Sequence, residues 1–114
     1  MTDNERGTLD VRTRAVARMA EIAATNVAGV ERVTGGITSR SLPRVDAIVR
    51  GGRIRATVEV ATAWPTPIAD VAGRVRSAVE QDLTRNSGLA VDSVDVRIQY
   101  SAPEIRNTRS RRVE

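Results

Sequence analysis

The chain contains no cysteine and no histidine. That removes disulfides, thiolate zinc sites, thiol nucleophiles, imidazole metal ligands and the Ser-His-Asp triad. Lysine is missing too, so all 18 basic residues are arginine, and neither a Schiff base nor a phosphate-loop lysine is available. Phenylalanine is absent, and Trp64 and Tyr100 are the only aromatics. Two rings do not make the stacking platforms that hold single-stranded nucleic acid. No apolar run approaches membrane-spanning length, and the opening Met1 to Gly7 lacks the charged-then-apolar order of a signal peptide. The expected location is therefore the cytoplasm, with membrane association only through a partner.

Carboxylates are what remains for acid–base or metal chemistry. Asp92 and Asp95 lie three apart in a strand-like run, a spacing that sends them to opposite faces. Glu80 and Asp82 are two apart on a helix-like run, which also separates them. Gly29, Gly35 and Gly36 do not form a dinucleotide fingerprint. No catalytic constellation emerges, so the expectation is a protein that is not an enzyme and needs no cofactor or metal.

What is present is a single small domain of 114 residues with an aliphatic core and a net charge of +4. Acidic residues number 14 and are interspersed with the arginines, so where the charges sit matters more than their sum. Ile54, Ala56, Val58 and Val60 alternate with Arg55, Thr57 and Glu59, the period of a strand with one buried face. Trp64-Pro65-Thr66-Pro67 stops it, with Thr66 the expected helix cap and Pro67 the first helical residue. Ile68, Val71, Ala72, Val75, Val79 and Leu83 form a helical stripe. Asn86-Ser87-Gly88 ends it, and Val94, Val96 and Ile98 alternate as a second strand. A strand, a helix and a strand joined by short links imply parallel pairing of the two strands.

Upstream, Val45 to Arg50 and Arg53 to Val60 flank Gly51-Gly52, the signal of a two-residue hairpin turn. Pairing outward from the turn sets Arg50 against Arg53, Val49 against Ile54, Ile48 against Arg55, Ala47 against Ala56 and Val45 against Val58. Every second pair is apolar on both strands, so register and burial agree. A helix is expected from about Thr13, with Val16, Met19, Ala20, Ala23 and Val27 as its stripe, widened by Ala15 and Ile22. Gly29 is its expected stop. Gly7 to Val11 reads as a short edge strand. The expected domain spans residues 7–100, between a disordered amino terminus at 1–6 and a disordered basic tail at 101–114 that holds four arginines. The fold class is α+β, a two-layer sandwich with two helices on one face of a small mixed sheet.

That arrangement leaves a sheet face uncovered. Arg50, Arg53, Arg55 and Arg97 fall on it with Ile48 among them, and these five are the candidate partner-binding residues. Arginine mixed with an aliphatic side chain suits a protein interface. The plain alternative is a solvated face, its arginines splayed beside Asp46, Glu59 and Asp95.

The pattern G-x-L-x-V followed by A-V-x-x-M-A-x-x-A-x-x-x-V-x-G-V, Gly7 to Val30, resembles the opening of the bacterial alkaline-shock, or envelope-stress-response, protein family. The second half resembles the family's other block. There a strand and an aromatic lead through a turn to a helix, a small-Gly-Leu step and a final strand. Trp64, Ile68, Val71, Ala72, Val75, Val79, Ser87, Gly88, Leu89, Val91, Val94 and Val96 occupy those positions. Pro65 departs from it where glycine is common, and Arg12 where a small capping residue is common. The matched residues are core and turn residues, so they carry the fold and transfer no site. What the resemblance implies is a non-enzymatic cytoplasmic interaction protein of cell-envelope stress. It would act by self-association and by docking to a membrane-anchored or membrane-proximal partner. The competing expectation is an RNA- or DNA-binding module that uses the arginine-rich sheet face and the basic tail.

Overall fold

The computed structural model describes residues 3–35 and 41–101, with side chains from residue 11 onward. Five elements follow in order: α1 (Asp3–Thr25), β1 (Arg44–Arg50), β2 (Arg53–Thr62), α2 (Ile68–Asn86) and β3 (Ala90–Tyr100). The strands form one mixed sheet in the order β1-β2-β3, with β1 antiparallel and β3 parallel to β2. Both helices lie on one face, α1 against β1 and β2, α2 against β3, and the helices against each other. The α+β two-layer architecture read from the sequence is the one observed.

The hairpin follows the turn chemistry. Gly51 and Gly52 both have positive φ, 58° and 74°, which residues bearing a Cβ adopt only with strain. The observed register pairs Arg50 with Arg53, Ile48 with Arg55 and Val45 with Val58, as the alternation requires. Inward residues Ile54, Ala56, Val58 and Val60 are at most 3% exposed.

Helix α2 buries Val71, Val75, Val79 and Leu83 on that face, and full burial of such side chains stabilises by about 1.5–3 kcal/mol each. Its start differs from expectation. Pro67 itself is the cap residue, with φ −64° and ψ 121° and no side-chain cap bond, and the helix begins at Ile68. Thr66 instead directs its N–H back to Ala63 O at 2.8 Å, so the two prolines and the preceding turn start the helix without a hydroxyl. Its end is as expected: Ser87 caps it and Gly88 takes φ 74°.

The amino-terminal reading is corrected. Gly7 to Val11 is not an edge strand but lies within α1, which starts at Asp3. Leu-x-Val is too short to separate a period of two from a period of 3.6, and position 9 lies two helical turns ahead of buried Val16. Val11 is 59% exposed. The stripe of α1 is Val16, Ala20 and Ala24, with Met19, Ala23 and Val27 half-buried beside it. Ala15 and Ile22 do not widen it, since both are exposed. Of the expected disordered ends, residues 1–2 and 102–114 lie outside the described residues, whereas 3–6 are helical.

Candidate functional site

The open sheet face is assembled by the hairpin and by an irregularity in β3. Because β1 and β2 pair from the Gly51-Gly52 turn, Arg50 sits against Arg53 and Ile48 against Arg55. The pairing of β2 with β3 shifts between Ile54 and Arg55, so that Ile54 faces Val91 and Arg55 faces Ser93. Asp92 is therefore the extra residue of a β-bulge, and a bulge re-aims its side chain. It turns towards the arginines: Arg53 Nη2 donates to Asp92 Oδ1 at 2.9 Å and Arg55 Nε to Asp92 Oδ2 at 3.3 Å. The bulge also overturns the expectation that Asp92 and Asp95 face opposite ways. Asp92 meets the outward arginines, and exposed Asp95 pairs with outward Thr57.

Ile48, Arg50, Arg53, Arg55 and Asp92 together line a shallow groove of about 310 Å³. Ile48 is 58% exposed, an aliphatic surface set among guanidinium groups. The hydrogen bond from Arg53, followed by that from Arg55, holds the Asp92 carboxyl below the usual carboxylate range. Arg50 has no ion-pair partner among the described residues. The groove thus presents one unpaired guanidinium, two that share a single exposed carboxylate, and an apolar floor. Such a site can accept a carboxylate from outside, either on Arg50 or by displacing Asp92, because exposed ion pairs exchange readily with solvent and with competitors.

Four of the five residues singled out from the sequence therefore come together, and Arg97 does not. It lies further along β3 opposite Glu59, whose carboxylate is taken by Arg44 of β1 at 3.3 Å. Strict alternation through β3 does not place Asp92 on this face, because it counts back from Asp95 without the extra residue. The two polar residues Asp92 and Ser93 between Val91 and Val94 were the available sign of a bulge. Among the described residues no group of three acidic side chains could hold a metal ion.

At the opposite end of the sheet the polar groups serve the fold. Thr62 is fully buried and donates its hydroxyl to Gly29 O at 2.6 Å. Arg74 of α2 donates to Ala28 O at 3.0 Å. Gly29 has φ 97°, a conformation that a residue with a Cβ adopts only with strain, and a Cβ there would stand a tight 3.1 Å from Val71 Cγ2 of α2. Trp64 is 71% exposed and meets Tyr100 edge to face with ring centroids 5.2 Å apart, while Tyr100 Oη donates to Thr66 O at 3.1 Å.

Among the described residues no helix is long and apolar enough to cross a membrane. No curated protein sequence matches the chain. Solved structures of the MamM C-terminal domain are similar in fold. One variant has a TM-score of 0.59 and 21% identity, covering 78% of this chain and 95% of that one. A zinc form has a TM-score of 0.53 and 20% identity over 80% and 88% of the two chains, and a nickel form 0.54 and 19% over 78% and 99%. At such identities the likeness is one of fold alone. The sequence profile of the alkaline shock protein 23 family, described by its cell envelope-related function, matches residues 1–100. With its two helices, mixed sheet and the residue blocks from Gly7 to Val30 and Val58 to Ile98, the chain belongs to that family.

Proposed function

We propose that this is a non-enzymatic interaction protein of the cell envelope's stress response. It acts on the cytoplasmic side by self-association and by docking a membrane-anchored or membrane-proximal protein partner on the open sheet face. The observation that carries the reading is the groove in which exposed Ile48 lies among Arg50, Arg53 and Arg55. Aliphatic contact with arginine around it is the composition of a protein interface rather than of a catalytic cleft. A partner segment with an acidic residue beside an apolar one fits it. Nucleic acid is less well supported, because Arg53 and Arg55 already share the Asp92 carboxylate and the two aromatics face each other. Arg97 contributes at most to the margin of this surface.

The test is Arg53→Glu with Arg55→Glu in the full chain, scored by recovery of envelope proteins from native cells and by recruitment to the membrane. Both substitutions are exposed, so folding should persist, and partner recovery should fall by roughly tenfold or more if the groove is a hot spot. Undiminished recovery with a folded double variant overturns the groove as the docking surface.

A further inference from the structure

Strand β3 is an edge, paired with β2 on one side and with no other strand among the described residues on the other. Its backbone alternates in direction. The Ser101 N–H is donated towards β2, to Thr62 O at 2.9 Å, so beyond the bulge the odd-numbered residues bond to β2. Val94, Val96 and Ile98 then present their N–H and C=O groups to the open edge. Arg76 of α2 confirms the direction, since its Nε reaches Val94 O at 3.3 Å. One guanidinium on one carbonyl is a light guard for so long an edge, and unpaired edges invite another strand.

The side chains say which strand. Asp95 and Arg97 are both exposed on the open face, and among the described residues neither has an ion-pair partner in its own chain. We infer that β3 is the seam of a two-fold homodimer in which it pairs antiparallel with β3 of a second copy, centred on Val96. Antiparallel pairing must match edge-facing residues with edge-facing residues, which leaves few registers. Centring on Asp95 would set that carboxylate against itself, and centring on Arg97 would oppose two guanidiniums. Centring on Val96 sets Asp95 of each copy against Arg97 of the other, twice by symmetry. The same register places Val94 beside Ile98 of the second copy and Val96 beside Val96 on the helix-covered side. Val96 and Ile98, half-buried in the single chain, would then gain cover across the seam. Arg76 must share or release Val94 O when the strands meet. The inference rests on the self-association proposed above and names its surface, which is separate from the groove.

The experiment is sedimentation equilibrium of the full chain at low ionic strength, with Asp95→Arg, Arg97→Asp and an equimolar mixture of the two. In each single variant both seam pairs join like charges, and dimerisation should weaken at least about tenfold. In the mixture every pair again joins unlike charges, so a heterodimer should form with an affinity near the parent's. Both substitutions are on exposed positions, and melting curves verify the fold. Amide hydrogen exchange on the parent supplies a readout that needs no mutation: Val96 and Ile98 N–H groups should gain protection as concentration rises. A parent that stays monomeric at all loadings overturns self-association and the seam together. A dimeric parent whose single variants dimerise equally well, or whose mixture gains nothing, overturns the seam and leaves self-association standing.

Discussion

The two ends of β2 hold their polar groups in opposite ways. At the carboxyl end Thr62 is fully buried and its hydroxyl is committed to Gly29 O, beside the Arg74 bond to Ala28 O. At the amino end Arg53 and Arg55 stand in solvent and share one carboxylate. A buried hydroxyl that loses its acceptor has no water to turn to, so such a bond is costly to break. An exposed ion pair competes with water and salt and contributes little to stability. One strand therefore closes the fold at one end and keeps exchangeable charge on its outward face at the other.

Thr62→Val tests the closed end and should have the larger effect on stability. It removes the donor without changing the shape, and denaturant melts should show a loss of about 1–2 kcal/mol. An unchanged midpoint would place the two ends on the same footing. Asp92→Asn tests the open end. Its carboxyl is held below the usual range by Arg53 and Arg55. The stability it adds is therefore present above the unfolded-state value and lost as pH falls through the folded one. The variant should melt slightly below the parent at neutral pH, since an exposed pair contributes little, and the gap should close on acidification. By leaving Arg53 and Arg55 without their carboxylate it should also bind an acidic partner segment more tightly than the parent does. Weaker binding would mean that Asp92 orients the arginines rather than competing for them.

Much of this was legible in the residues, for identifiable reasons. Gly51-Gly52 between alternating runs determined the hairpin register, and with it the positions of Ile48, Arg50, Arg53 and Arg55. Helix α2 announced itself through six apolar residues at helical spacing, of which Val71, Val75, Val79 and Leu83 are buried while Ile68 at the first turn stays exposed. What could not be read depended on contacts between distant segments. The closed end brings Gly29 from the turn after α1, Thr62 from β2 and Val71 from α2 together, and no local pattern encodes that meeting. The helical start of α1 was hidden because Leu9 and Val11 satisfy a strand pattern over too few residues. Arg97 shares the face of the groove residues but not their position along it, since it lies beside Glu59 rather than Arg55, and alternation alone gives the face without the distance.

The bulge at Asp92 has a consequence for how the chain can change length. Without Asp92, β3 would read Val91-Ser93-Val94-Asp95-Val96-Arg97-Ile98, an unbroken alternation with every inward residue still inward. Loss of Asp95 instead would turn Val96 and Ile98 out to solvent. Single-residue deletions scored by soluble expression should therefore spare Asp92 or Ser93 and fail at Asp95. An insoluble Asp92 deletion would mean that the core needs the bend itself. If the deletion is tolerated, Asp92 is a residue the strand can hold or omit without reframing the core. The carboxylate that pairs with Arg53 and Arg55 in the groove would then be an insertion, separable from the fold that carries it.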